Sequence, residues 1–194
     1  MMDQNIFLVA GLGNPGREYA RTFHNMGFLA VDRLASRLNI PIDRLRFKGV
    51  CGIGRVGSTH VVLLKPATYM NLSGESIREA ASFYKIPPEH ILVLYDDIDI
   101  PIGRIRIREQ GGPGSHNGMK SVIARLGSEL FPRIRIGIGP LPEHWDIVKY
   151  VLSAVPETHH KDLEEAIDHA AAAAETAIRE GVAKAMNRFN GGLS

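Results

Sequence analysis

Cysteine is almost missing from this sequence: Cys51 stands alone among 194 residues. One thiol closes no disulfide within the chain, and no His/Cys spacing suits zinc. Neither a cross-linked secreted scaffold nor a zinc-held one is in prospect. Cys51 sits inside a strand-like run and reads as a small buried hydrophobe. Long apolar runs are lacking too. Ile6-Phe7-Leu8-Val9-Ala10 follows a polar start, Met1 to Asn5, and is too short for a signal or a membrane span. The expectation is a cytoplasmic protein with no membrane partner. A large charge of one sign is also absent, the formal net charge being +2. No Ser or Cys occupies a nucleophile-elbow setting, which favours attack by water over a covalent intermediate.

What is present is an ordinary globular composition, 44% hydrophobic and 23% charged. The length suits one domain, 1–194, with a full core. Charge is unevenly placed: residues 1–60 and 101–150 each carry eight Lys/Arg against four acids, and the stretches between and after are net acidic. Folding can gather the basic blocks into one face suited to a polyanion, or leave them on a normal mixed surface.

The first thirty residues organise the chain. The apolar run empties into Gly11-Leu12-Gly13-Asn14-Pro15-Gly16, then come Tyr19 and the pair His24-Asn25. A buried strand, a tight turn and an acid/base residue within twenty positions point to an active site on an α/β scaffold. The glycines spell the dinucleotide fingerprint, but the context argues against NAD or ATP. Pro15 pushes Asn14 away from helical angles, the next helical pattern starts only near Gly27, and Asp32 falls inside it.

Periodicity predicts a helix over Phe28 to Leu38, with Leu29, Val31, Leu34 and Leu38 as its apolar positions. A hairpin follows, 50–56 and 60–64, turning at Gly57-Ser58. Ser73 reads as the N-cap of a helix burying Ile77, Ala80, Ala81 and Tyr84. Ile91 to Tyr95 is a buried strand that stops at Asp96-Asp97-Ile98-Asp99. Ile102 to Arg108 alternates Ile with Arg, placing Arg104, Arg106 and Arg108 on one strand face, and Arg133 to Gly139 repeats the alternation. Between them lie the loop Gly111 to Gly118 and a helix to about Leu126. The last forty residues are Ala-rich and helical, broken near Gly181, with a frayed tail at Gly191-Gly192. The fold class expected is α/β, a mixed, mostly parallel twisted sheet covered by helices on both sides. The Arg/Ile strands look half-exposed and should supply antiparallel pairs.

Ligands of such sheets sit outside the carboxyl ends of strands. His24, Asp96, Asn14, Asn71 and Asn117 are the polar groups to gather there. An imidazole oriented by a carboxylate can take a proton from water, and Asn amides can grip a peptide or a developing oxyanion without charge. Each residue also has a plain structural reading. His24 and His116 can pack or cap, Asn14 and Asn71 can serve turns, Tyr19 can simply pack, and Tyr69-Met70 can be core. The Asp96-Asp97-Asp99 run can be a solvated turn, or hold Mg²⁺.

Five segments in order resemble the bacterial peptidyl-tRNA hydrolase family. They are Val9 to Tyr19 with Arg21 to Gly27, Lys65-Pro66 through Gly74, Tyr95 to Pro101, Gly111 to Gly118, and Arg133 to Gly139. The resemblance implies cleavage of the ester joining a peptide to the 3′-terminal ribose of tRNA, which recycles stalled tRNA. It also implies a monomer without metal or cofactor. By motif position His24 would be the general base and Asp96 its orienting partner. Asn117 would help place water or steady the oxyanion. Asn14, Tyr19, Met70, Asn71 and His116 would bind substrate at the cleft. Arg108 and Arg135 would clamp the tRNA 5′-phosphate, phosphate contacts positioning a nucleic acid without reading it. Pro113, Ser115 and Asp97 depart from the family's usual residues, the last with no consequence foreseen. The competing reading is a non-catalytic RNA-binding protein on the same scaffold.

Overall fold

The apolar run at the start of the chain becomes β1 (Ile6–Gly11), the central strand of a seven-stranded sheet. The structure, a computed structural model, describes residues 5–191. The other strands are β2 (Arg44–Arg46), β3 (Gly49–Val56), β4 (Thr59–Pro66), β5 (Ile91–Pro101), β6 (Ile105–Arg108) and β7 (Arg133–Gly139). Their spatial order is β2-β3-β4-β1-β5-β7-β6. The central four, β4-β1-β5-β7, run parallel, and antiparallel pairs close both borders. This is the expected mixed α/β sheet. β1 is apolar on both faces because helices cover both.

One face packs on α1 (Met26–Leu38), α5 (His160–Glu180) and α6 (Val182–Phe189). The other packs on α2 (Ser73–Tyr84) and α3 (Asn117–Leu126). A short α4 (Ile147–Val151) stands between β7 and α5 in the chain. α1 buries Phe28, Val31 and Leu34, while Leu29 and Leu38 pack only at its margin. The buried alanines of α5, among them Ala166, Ala170 and Ala173, are small enough for close packing against the sheet side of the core. The helical C-terminal region breaks at Gly181, as expected, and Gly192 lies outside the described residues.

Two glycines seat α1 on the sheet. A Cβ on Gly11 would lie 2.1 Å from the Gly27 carbonyl oxygen, and one on Gly27 would lie 2.3 Å from the Leu94 oxygen. Main chain therefore touches main chain where β1, β5 and the first turn of α1 meet. A side chain at either point would push the helix off the strand ends.

Three local expectations give way. β5 does not stop at Asp96; it runs to Pro101, because β7 keeps pairing with it through Asp96↔Ile136 and Asp97↔Gly137 before a register shift. Ser73 is not a cap: α2 begins at Ser73, whose hydroxyl donates to the Met70 carbonyl. The Arg/Ile strands do supply the expected antiparallel pair, with Arg106 opposite Arg135 and Arg108 opposite Arg133, but they are not both half-exposed. Only β6 is an edge. β7 is covered by neighbours on both sides, and Arg133 is buried. Arg104 sits in the turn before β6, its N–H bonded to Pro101. The free border of β6 is met by Asn190, whose amide donates to Ile107 O (2.9 Å) and accepts from Ile107 N–H (2.8 Å).

Candidate active site

His24 lies on a single 3-10 turn, Phe23–Asn25, between the glycine turn and α1. The seating of α1 brings this turn against β5, and His24 Nδ1 is 2.8 Å from Asp96 Oδ2. Asp96 is 2% exposed and His24 8%. The other Asp96 oxygen, Oδ1, is 3.0 Å from Nε2 of His116. His116 is the N-cap of α3, and its Nδ1 accepts the Met119 N–H at 3.2 Å.

These bonds fix the protons. A carboxylate only accepts, so His24 Nδ1 and His116 Nε2 both donate to Asp96. His116 Nδ1 must be an acceptor, because it faces a backbone N–H. The free lone pair of the group is therefore Nε2 of His24. Burial pushes the Asp96 carboxyl up, but the charges and hydrogen bonds of His24 and His116 outweigh it and hold it well below the usual carboxylate range. Burial also works against a charged His24, and Asp96 more than offsets it, so the imidazole pKa is raised above its ordinary 6.5.

His24, Asp96 and His116 are the one cluster among the described residues with metal-ligand types in reach of one another. Their facing atoms are already closed into N–H···O bonds, and a cation between them would displace both bonds and the α3 cap. The Mg²⁺ alternative also fails on geometry. Asp97 turns to Arg135, Asp99 is exposed, and the three carboxylates do not gather.

A cavity of about 360 Å³ opens beside this group. Its lining includes His24, Asp96, His116 and Asn117, together with Arg108 and Arg135. The His24–Asp96 pair and the two candidate phosphate ligands thus share one hollow, roofed on one side by Ile147, Val148 and Val151 at α4. Arg135 is anchored by Nε donating to Asp97 Oδ2 at 2.7 Å. Asp97, read from the sequence as part of a solvated turn or a Mg²⁺ site, is what holds this guanidinium.

Asn14, Tyr19, Met70 and Asn71 do not line that cavity. Asn14 is a buried knot in the neighbouring wall. Its Oδ1 accepts from Met70 N–H (2.7 Å), and its main chain exchanges two hydrogen bonds, both 2.9 Å, with the Asn25 side chain. Asn25, quoted in the sequence only as the neighbour of His24, thereby ties the glycine turn to the start of α1. Met70 is buried, and its sulfur approaches Gly118 beside the His116 ring. Asn71 is exposed. Tyr19 meets Tyr69 edge-on, ring centres 6.4 Å apart. Tyr69 is not core: it is 54% exposed, with φ of 62°, a strained angle for a residue with a side chain.

Fold and cavity together define a class: an α/β domain with a buried His–Asp pair at the strand ends and arginines across the same hollow. Comparison narrows it. A model of the family described as Peptidyl-tRNA hydrolase matches residues 8–194. The chain is 50% identical to the peptidyl-tRNA hydrolase of Alkaliphilus oremlandii, over 95% of this chain and 99% of that one. It is 49% identical to that of Clostridium novyi, over 96% and 98%. The crystal structure of peptidyl-tRNA hydrolase from Acinetobacter baumannii superposes with a TM-score of 0.89 at 40% identity, covering 97% of this chain and 96% of that one. The chain belongs to the peptidyl-tRNA hydrolase family.

Proposed function

We propose that this protein hydrolyses the ester between a peptide and the 3′-terminal ribose of tRNA, using water activated at His24. The observation that carries the mechanism is the 2.8 Å contact of His24 Nδ1 with a buried carboxylate, which leaves Nε2 as a lone pair beside the cavity. Water between Nε2 and the acyl carbon loses a proton to the imidazole as its oxygen bonds to carbon. Asp96 stabilises the imidazolium without taking the proton, its carboxyl being held below the usual range. The tetrahedral oxyanion finds a donor in the Asn117 amide, at the start of α3 on the cavity wall. On collapse the C–O bond to ribose breaks, and the leaving 3′-oxygen takes the proton back from His24. The products are a free peptide acid and tRNA.

His116 has a part besides the substrate contact that its motif implies. Both ring nitrogens are used within the protein, so it orients Asp96. Arg108 and Arg135 supply positive charge for the 5′-phosphate. Asn71 and the Tyr19–Tyr69 pair form the adjoining wall that receives the 3′ end and the first peptide units, and Asn14 and Met70 set the position of that wall. The acceptor stem then lies along the β6–β7 arginines, and one copy of the chain suffices. Among the described residues no helix is long and apolar enough to cross a membrane. Replacing His24 by Asn tests the base. Turnover of an N-acetyl-aminoacyl-tRNA should fall by about 10²–10⁴, and a fall of only a few-fold refutes the assignment.

A further inference from the structure

Arg133 opens β7, is 1% exposed, and heads the largest fully buried side chains. A buried charge ordinarily has an acidic partner. Arg133 has none within ion-pair distance among the described residues; carbonyl oxygens and the Tyr95 side chain surround it at the border of the cavity. Nε and Nη2 both reach Phe131 O at 3.3 Å, Nη2 reaches Glu129 O at 3.0 Å, and Nη1 reaches Gly112 O at 3.1 Å. The guanidinium also lies over the Phe131 ring, 4.3 Å from its centre. A plain apolar side chain would fill this volume without burying a charge.

The destinations of these bonds explain the choice. Glu129 and Phe131 are close in the chain. Gly112 is 21 positions away, in the loop Gly111–His116 that delivers His116 to Asp96 and Asn117 to the cavity. The same loop is pinned a second time nearby, by Gly111 N–H to Glu129 O at 3.3 Å. The planar fork can therefore hold strand β7, the turn before it and the glycine loop in one plane, which a Lys ammonium cannot do.

We infer that Arg133 is a positioning residue for ester hydrolysis: it holds the glycine loop through Gly112 so that His116 meets Asp96 and Asn117 faces the reacting centre. The inference rests on the hydrolytic reading of the cavity, and its test separates the two. Arg133→Met and Arg133→Lys are compared with wild type by hydrogen exchange of the amides from Gly111 to Asn117. The kcat and KM on N-acetyl-aminoacyl-tRNA are measured alongside.

In the Met variant the loop amides should exchange at least ~10-fold faster, as for a segment released from local protection. Its kcat should fall ~10- to 100-fold, the loss expected when catalytic groups drift by about an ångström. KM should change little, since Arg108 and Arg135 remain. The Lys variant should lie between Met and wild type on both readouts, and it decides the matter if the Met variant does not fold. Wild-type loop exchange with wild-type kcat in either variant overturns the inference. So does a rise in KM alone, which would make Arg133 a phosphate contact. A wild-type protein that does not cleave the substrate refutes the hydrolytic reading, whereas the exchange data still judge the hold on the loop.

Discussion

Replacing Asp96 by Asn changes one atom and should switch off the site through a proton position. The carboxylate now accepts two hydrogen bonds, from His24 Nδ1 and from His116 Nε2. An amide offers one oxygen. If its NH₂ faced His116, two donors would oppose each other, unless His116 moved its proton to Nδ1, where the Met119 N–H already points. The oxygen therefore goes to His116 and the NH₂ to His24. His24 must then accept at Nδ1 and carry its proton on Nε2, which leaves no lone pair for water. A positioned base is worth about 10²–10⁴ in rate, and that is the expected loss in kcat, with KM within a few-fold of wild type. Single-turnover deacylation of N-acetyl-aminoacyl-tRNA measures it, and ¹⁵N shifts of the imidazole report the tautomer. Removing His116 as well frees the amide oxygen for His24, so Asp96→Asn with His116→Ala should be faster than Asp96→Asn alone. A single variant within threefold of wild type, or one whose His24 keeps Nε2 unprotonated at neutral pH, would falsify this scheme.

Further outcomes follow from the same geometry. For the neutral base proposed at His24, whose pKa is raised above 6.5, kcat/KM should climb with pH and level off through an inflection above that value; a flat profile from roughly pH 5 to 8.5 would contradict it. The depressed Asp96 carboxyl contributes stability that is present above its ordinary 3.8 and is lost as pH falls below it. Asp96→Asn should therefore flatten the acid limb of a melting-temperature profile. Arg108→Gln and Arg135→Gln should each raise KM for tRNA substrates and reduce the slope of log affinity against log salt by about 1, sparing small esters; equal losses on both substrate types would refute the clamp. Gly27→Ala places a methyl group 2.3 Å from Leu94 O and 2.5 Å from Leu12 N, so a urea midpoint should report a loss of roughly 1–3 kcal/mol, and an unchanged midpoint would dismiss the main-chain contact.

Much of this was readable beforehand, and the exceptions share a cause. β1, the 50–64 hairpin and α3 declare themselves because burial imposes a period on adjacent residues. Asp96 misleads because a run of acids looks like a solvated turn until a neighbouring strand keeps the backbone extended and shields it. Alternation in Arg133 to Gly139 reveals two faces, but not that the polar one is covered at Arg133 by a loop arriving from 21 positions earlier. The motifs point to His24, His116, Asn117, Arg108 and Arg135. What each one touches could not be read from them, since those partners lie tens of residues away. Asp97 shows the limit most plainly: one acid in a run that reads as a solvated turn or a Mg²⁺ site, it holds Arg135.

The pairing of Asn190 with Ile107 makes one amide do the job of an eighth strand. An uncapped sheet border invites a second polypeptide to zip onto it. Here the last described helix folds back and plugs that seam, on the strand that ends at Arg108. A long polyanion can then approach this flank without competing against self-association. Trimming the chain before Asn190 would expose a sticky margin beside the arginines proposed to meet the nucleic acid.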